Sequence, residues 1–336
     1  GTNLMVLFKI AVILFVIVAG AFYVDTNNWN PFMPNGFTGV LKGVSAVFYA
    51  YIGFDAISTM AEESKNPQRD LPRGMIYSLV ICTVLYILIA LVLTGIENYS
   101  LFGGVADPLA FVFEKRAPWI EKIISVSAVV ATTSVLLVFQ IGQPRIWMSM
   151  SRDGLLPKRF QQLNKFKIPG FATILTGLIV GIGSLFLQAG IVTDLTSIGT
   201  LFAFVLVSGG VLFLPPIEKK PGQFKLPTWS GRYLISLIVL LFLSISYERI
   251  TVSISQLLAD DFHEAPFLLF LLLALFITFY TFLRNYAFIP VMGVLSCLYL
   301  LIEIPLVSWK WFFVWMGIGL LIYFFYGNKN SRLNHK

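Results

Sequence analysis

Ten runs of apolar residues, each about as long as a membrane-spanning helix, constrain the fold of this sequence more than any other feature. Roughly 17 to 25 apolar helical residues are needed to cross about 30 Å of hydrocarbon. The seventh run is the weakest, because its uninterrupted core, "YLISLIVLLFLSISY", is short and needs flanking residues to complete a span. The runs cover residues 4–24, 39–60, 75–96, 119–146, 169–188, 194–215, 232–247, 266–283, 286–304 and 309–326.

The amino-acid composition also indicates that the chain lies in a lipid bilayer. Of the 336 residues, 57% are hydrophobic and only 12% are charged. A soluble globule of this size would need more polar surface than these residues provide. We therefore predict an all-α polytopic membrane protein with ten transmembrane helices, surrounded by the lipid bilayer.

Lysine and arginine residues are concentrated in alternate connections between the predicted helices. Cytoplasmic loops carry an excess of these residues, so the pattern predicts that both visible termini face the cytoplasm. The net charge of +7 then indicates no nucleic-acid partner, because the basic residues are spread over several short loops. The predicted cytoplasmic side holds Arg69, Arg73, Arg145, Arg152, Lys158, Arg159, Lys165, Lys167, Lys219, Lys220, Lys225, Arg284, Lys329, Arg332 and Lys336. The opposite side holds Lys115, Arg116, Arg249 and Lys310, offset by Asp25, Glu97, Asp107, Glu114, Asp260, Asp261 and Glu264.

The residues of an intramembrane enzyme are not found together in this sequence. The two histidines are His263, in a predicted outer loop, and His335, in the tail. Cys82 and Cys297 both lie inside apolar runs, where we expect them to pack rather than to bind metal or form a disulfide. No metal-ligand spacing and no pair of intramembrane carboxylates is apparent. We therefore predict a protein that is not an enzyme and has no metal or cofactor.

The second apolar run carries an aspartate in its middle. In "FYAYIGFDAISTM", Gly53 weakens the helix and Asp55 adds a carboxylate among aromatic residues. A helix break at this depth is tolerated where the freed backbone groups line a cavity or meet a ligand. Transporters hold the charged groups of a substrate at such breaks. The structural alternative is that Asp55 caps or pairs with a neighbouring helix while Gly53 permits close packing.

Lys9, in "VLFKIAVILF", lies inside the first apolar run. One interpretation is that its ammonium reaches back to the membrane interface. The other is that it takes up and releases a proton during transport. Thr133 and Ser134 lie in the fourth run, where their hydroxyls either complete a polar site or hydrogen-bond to their own helix.

Several motifs together resemble one family. "GFTGVLKGVSAVFYAYIGFDAISTMAEESKNPQRDLPRGM", "PRIWMSMSRDGLLP" and "LTSIGTLFAF" are closely similar to the cationic amino-acid transporter branch of the amino acid, polyamine and organocation (APC) superfamily. The resemblance implies a LeuT-type 5+5 inverted-repeat fold, of which the first four N-terminal helices would be missing from this sequence. On that plan, residues 1–24 form the last helix of the first repeat, 25–216 the second five-helix repeat with its broken helix at 39–60, 217–283 an extra helical pair, and 284–336 the C-terminal helical pair and cytoplasmic tail.

The resemblance also implies roles for individual residues. The backbone of the segment before the break would receive the α-amino group of an amino acid, and one aromatic residue would act as a gate. Asp55 would organise the break by accepting freed backbone N–H groups, and Lys9 would couple transport to protons beside the hydroxyls of the fourth run. The implied substrate-binding residues are Phe48, Tyr49, Ala50, Tyr51, Ile52, Gly53, Phe54 and Asp55, and the implied proton-coupling residues are Lys9, Thr133 and Ser134.

The expected function is therefore that of a secondary active transporter. We expect a permease that moves L-amino acids by alternating access, coupled to protons. The alternative is a non-transporting remnant or regulatory membrane subunit of such a permease. The sequence leaves open whether the substrates are cationic or neutral, and it favours neutral ones because only Asp55 is placed to pair with a cationic side chain.

Overall fold

The computed structural model describes residues 2–60, 64–105, 107–214, 229–259, 262 and 264–332. Their regular structure is almost entirely helical. The helices are α1 Thr2–Ala21, α2 Gly36–Tyr51, α3 Pro67–Ile96, α4 Pro108–Glu114, α5 Pro118–Arg152, α6 Gly170–Phe186, α7 Ala189–Phe213, α8 Gly231–Ile245, α9 Tyr247–Leu258, α10 Ala265–Arg284, α11 Phe288–Ile302 and α12 Leu306–Ile322. Of the charged and histidine residues discussed above, Lys219, Lys220, Lys225, Asp260, Asp261, His263, His335 and Lys336 lie outside the described residues.

Each of the ten predicted runs overlaps an apolar helix, although not every one of these helices has the length of a span. Within the described part of the chain, seven helices are long and apolar enough to cross a membrane, or eight if α8 and α9 form one bent span. The remaining apolar helices, α6 and α11, are shorter. The structure therefore fits a polytopic all-helical membrane protein, while the count of ten spans remains a prediction.

Large apolar side chains cover the outside of the helices. In α6, for example, Leu178, Ile179, Val180 and Ile182 are each more than half exposed. Such a surface would be unfavourable in water, whereas apolar side chains are favourable against lipid. The backbone is also suited to lipid, because a helix satisfies its own hydrogen bonds. The exposed apolar faces therefore agree with a bilayer as the surrounding solvent.

The start of α3 differs from the prediction. The sequence placed the third span after Pro72, whereas α3 already begins at Pro67, with Asn66 before it as the N-cap. Proline is favoured in the first turn, since its fixed φ suits a helix and its missing N–H would have no partner there. Pro72 comes early enough in α3 that the helix continues past it.

The weakest predicted span continues into a second helix. α8 ends at Ile245 and α9 follows at an angle of 67° after a short break at Ser246. Residues 248–258, which follow the predicted seventh run on its outer side, belong to the amphipathic helix α9 instead of a loop. The extra residues that the seventh span seemed to need are therefore arranged as a bent helical pair.

The contacts divide the chain into two compact units. Unit 1 contains Gly1–Pro34, Gly53–Phe186 and Ile322–Lys336. Its core is formed by buried residues of α1, α3, α4 and α5, with Phe113 completely buried among them. Gln140 in α5 donates from Nε2 to the carbonyl of Thr173 in α6 at 2.8 Å, which ties these two helices together.

Unit 2 contains Asn35–Ile52 and Leu187–Leu321. One of its cores joins α8, α10 and α11, where the rings of Phe242, Phe270 and Tyr299 meet edge to face with centroids 5.5 to 5.9 Å apart. A second core joins α7, α11 and α12. α2 packs against α7 and α11 within this unit.

A C-terminal strap, residues 327–332, lies on the connection that follows α5 in unit 1. The backbone N–H of Arg332 donates to the carbonyl of Asp153 at 3.1 Å. Gly154 has a φ of +86°, and a Cβ on it would lie 2.0 Å from the carbonyl oxygen of Asn330. Glycine is therefore required here both by the backbone conformation and by the close approach of the strap.

Gly154→Ala is expected to release this strap. The clash with a backbone oxygen should weaken docking by about 1–3 kcal/mol, which corresponds to roughly a 5- to 150-fold larger undocked population. Trypsin cleavage at Lys329, followed by mass spectrometry, should accelerate in proportion. Gly104→Ala is the matched control, because Gly104 has a similar φ of +80° but no atom within 4 Å of a built Cβ. Equal cleavage of the two variants would contradict the docking.

Candidate functional site

The helix break predicted around Gly53 is present. α2 ends at Tyr51, and Ile52 is extended, with a φ of −62° and a ψ of 133°. Gly53 then adopts a φ of +122°, which is a conformation that other residues rarely accept. Glycine adopts this conformation without strain, so its presence at position 53 allows the helix to break there.

Asp55 closes the break from its C-terminal side. The backbone N–H of Gly53 donates to Asp55 Oδ1 at 3.2 Å, and the N–H of Ala56 donates to the carbonyl of Gly53 at 3.1 Å. The hydroxyl of Ser58 donates to the carbonyl of Asp55 at 2.6 Å. These bonds start a 3-10 helix over Phe54–Met60, which packs against α3 and α5. The Asp55 carboxylate thus supports the broken backbone.

The residues before the break form the C-terminal end of α2. Phe48 packs against the buried core of α7, α11 and α12, and so anchors this end in unit 2. Tyr49 is 45% exposed and its carbonyl accepts the N–H of Ile52 at 3.2 Å. The carbonyls of a last helical turn carry the negative end of the helix dipole. The end of α2 is therefore suited to a positively charged group.

The other predicted substrate-site residues are distributed around the same break. Ala50 is exposed, while Tyr51, Ile52 and Phe54 are half-buried. The chain passes from unit 2 to unit 1 between Ile52 and Gly53. The predicted residues therefore share one stretch of chain, and the break separates α2 from the 3-10 helix.

Lys9 lies beside Ser134 in unit 1. The Lys9 Nζ donates to Ser134 Oγ at 2.6 Å, and Ser134 is only 2% exposed. The Ser134 hydroxyl in turn donates to the carbonyl of Ala131 at 2.9 Å, so its oxygen is left to accept from the lysine. Among the residues that the structure describes, Lys9 has no carboxylate within ion-pair distance.

Thr133 is placed differently from its neighbour. Its side chain is exposed, and its hydroxyl donates to the carbonyl of Val129 at 2.8 Å in the same helix. Of the two hydroxyls predicted beside Lys9, the structure brings only that of Ser134 into hydrogen-bond contact.

Asp194, a carboxylate in an apolar helix, was not singled out in the sequence. Asp194, near the start of α7, accepts a hydrogen bond at 2.7 Å from the hydroxyl of Ser308 in α12. Ser308 is 3% exposed, so this contact links the two helices inside unit 2. The sequence did contain a signal for this residue, because Asp194 is an acidic residue at the first position of the sixth apolar run.

Sequence comparisons place this arrangement in a family. A family model described as "Amino acid permease" matches residues 2–259, and a second, described as "C-terminus of AA_permease", matches residues 286–331. The chain belongs to the amino acid permease family. The resemblance to the APC superfamily is thereby confirmed, as is the prediction that the chain belongs with transporters and not with enzymes.

The chain is similar to several transporters whose names give different substrates. The chain is 35% identical over 335 residues to the branched-chain amino acid permease BcaP of Bacillus subtilis, which covers 99% of this chain and 60% of that protein. It is 35% identical over 337 residues to the methylthioribose transporter of the same organism, with the same coverage. Cationic amino acid transporter 3, mitochondrial, of Arabidopsis thaliana is 29% identical over 393 residues, covering 97% of this chain and 64% of that protein. The chain thus spans about three fifths of the length of these permeases.

Proposed function

We propose that the full-length protein containing this chain is a secondary active permease that moves L-amino acids across a membrane by alternating access, coupled to protons. The observation that carries the proposal is the break at Gly53 in an apolar helix of an amino acid permease. Broken helices of this kind hold the charged groups of substrates near the middle of the bilayer.

The end of α2 is suited to the ammonium group of an amino acid. The carbonyls of its last turn, from Phe48 to Tyr51, carry partial negative charge and lie next to the break. Ile52 and Phe54 flank Gly53 and would shape the pocket for the side chain. Asp55 acts on the backbone, because its carboxylate accepts the Gly53 N–H. We therefore assign Asp55 to the shape of the site and not to direct contact with the substrate.

This assignment favours neutral substrates. A cationic side chain would be stabilised by a carboxylate in the pocket; Asp55 is the one acidic residue among the predicted substrate-binding residues, and one of its oxygens already accepts the Gly53 N–H. The relatives carry the names of both branched-chain and cationic amino acid transporters. We propose small and branched neutral L-amino acids as the preferred class of substrate. Lys9 and Ser134 would form the proton-coupling pair, and Thr133 would contribute less to coupling.

We also propose the architecture that the sequence predicts for this family. The ten apolar helices would all span the bilayer, the helices of residues 25–216 would form one repeat of a LeuT-type fold, and both visible termini would face the cytoplasm. The basic residues at the start of α3, in the connection after α5 and at the end of α10 support this orientation.

Uptake into proteoliposomes tests the proposal. The purified full-length protein should accumulate labelled L-alanine and L-leucine when a proton gradient is directed inwards, and L-arginine much less. Without the gradient, label should equilibrate but not accumulate. Liposomes without protein are the control. Failure to take up any of the three amino acids, by protein shown to be folded, would contradict the permease assignment and favour a regulatory subunit.

A further inference from the structure

An ion triad joins the ends of three helices in unit 2. Arg249, near the start of α9, donates from Nε to Glu264 Oε2 at 3.0 Å and from Nη1 to Glu303 Oε1 at 2.5 Å. Glu264 immediately precedes α10, and Glu303 immediately follows α11. The Arg249 guanidinium also lies over the ring of Phe267, 4.2 Å from its centroid. All four groups come together at one end of the unit.

The charges of the triad do not balance. One guanidinium faces two carboxylates, so the ionised triad carries one net negative charge. Its side chains are also largely removed from solvent, with exposures of 15% for Arg249, 19% for Glu264 and 8% for Glu303. A buried net charge is unfavourable unless a proton or a counter-ion compensates it. The triad therefore provides a position where a cation is favoured.

A cavity lies directly against the triad. Its volume is about 370 Å³, which is enough to hold a small organic molecule. All three charged residues line it, together with the ring of Trp309 and that of Phe267. Carboxylates beside aromatic rings are the groups that proteins use to bind ammonium ions.

A buried hydroxyl adds to the polar groups at this place. Tyr299 lies one helical turn before Glu303 in α11 and is 9% exposed. Its hydroxyl lies close to the Glu303 carboxylate and the Arg249 guanidinium. Tyr299 does not line the cavity, so it supports the triad from behind and is not a ligand contact.

We propose that this cavity binds a small organic ammonium ion with a net positive charge. The carboxylates of Glu264 and Glu303 would compensate the ammonium, and the Trp309 ring would cover its apolar surface. A zwitterionic amino acid fits less well, because its own carboxylate would meet a site that is already negative. The site shares no residue with the break at Gly53 and does not depend on the transport assignment.

Equilibrium dialysis of the purified full-length protein against labelled choline tests the proposal. We expect one saturable site per chain that an equal concentration of sodium chloride or L-alanine does not empty. Glu303→Gln should weaken binding at least about tenfold, because it makes the triad neutral while keeping its shape and leaving the Arg249 and Glu264 pair intact. Glu264→Gln should also weaken binding, because it removes the same negative charge. It should not disturb the start of α10, because the Glu264 side chain makes no capping hydrogen bond there.

The control variant is Glu248→Gln. Glu248 is an exposed residue of the same helix as Arg249, and its replacement removes the same charge without touching the triad. Thermal unfolding would verify that all variants are folded. Absence of saturable choline binding would overturn the proposal, and so would unchanged affinity in both Glu303→Gln and Glu264→Gln. Displacement by sodium chloride at equal concentration would also overturn it, because the site would then hold any cation.

Discussion

Gly53→Leu is expected to abolish substrate binding and uptake by the full-length protein, with a loss of at least about 100-fold, equivalent to about 2.8 kcal/mol. The backbone of Gly53 has a φ of +122°, and a leucine held there would be strained by about 1–3 kcal/mol. A relaxed chain would instead carry the helix onward past Tyr51. The N–H of residue 53 would then no longer donate to Asp55, and the last turn of α2 would no longer be the end of a helix.

Alanine at the same position separates backbone strain from loss of space. The nearest atom to a Cβ built on Gly53 is Phe139 Cζ at 4.0 Å, so a methyl group has room. We therefore expect Gly53→Ala to weaken binding about tenfold through strain alone, and less than leucine does. Gly43→Ala is the matched control in α2, because it has no atom within 4 Å of its Cβ and an ordinary helical backbone.

Scintillation proximity binding of labelled L-leucine to the purified variants measures this effect directly. Binding by Gly43→Ala should equal that of the parent protein, since alanine favours a helix more than glycine does. Normal affinity of the folded Gly53→Leu variant would mean that the substrate site lies elsewhere in the chain.

The break itself could be read from the sequence because its causes are local. A glycine within a long apolar run weakens the helix, and a carboxylate two residues later offers an acceptor for the freed amide. In the structure, the Gly53 N–H donates to Asp55 at 3.2 Å. Both residues and their contact lie within three consecutive positions, so no knowledge of tertiary structure was needed.

Helix boundaries were less predictable where proline or a bend decides them. Pro67 and Pro72 are both compatible with the first turn of a helix, so the sequence alone does not decide which of them begins α3. The bend at Ser246 is similar, since the apolar run of α8 ends without a glycine or proline. Periodicity alone does not predict the direction in which a helix continues.

The choice between Thr133 and Ser134 also required the structure. Neighbouring residues of an α-helix point about 100° apart, so only one of two adjacent hydroxyls can directly face Lys9. Which one faces it depends on the rotation of α5 against α1. The Arg249 triad shows the same limit, because its carboxylates are 15 and 54 residues away along the chain. Its one local signal was Glu303, an acidic residue inside the predicted ninth run.

Lys9→Met is expected to abolish the dependence of uptake on a proton gradient in the full-length protein. Methionine keeps an unbranched apolar stem almost as long as that of lysine but has neither the charge nor the donor that contacts Ser134 at 2.6 Å. Accumulation of L-leucine against its gradient should therefore fall to the level of passive equilibration. Binding of L-leucine should remain within about threefold of the parent, because in the proposed mechanism Lys9 acts on the coupled proton and not on the substrate.

Three variants separate coupling from a general structural effect. Lys122→Met makes the same substitution at an exposed position of α5, and it should leave gradient-driven uptake unchanged. Ser134→Ala removes the acceptor of the Lys9 ammonium and should reduce the stimulation by protons. Thr133→Ala should have a smaller effect, since that hydroxyl is already donated to Val129 within its own helix. Proton-driven accumulation by Lys9→Met would contradict the assignment of Lys9. Equal losses in Thr133→Ala and Ser134→Ala would mean that both hydroxyls take part, as the family resemblance implies, and that the hydrogen bond to Ser134 describes only one state of the transport cycle.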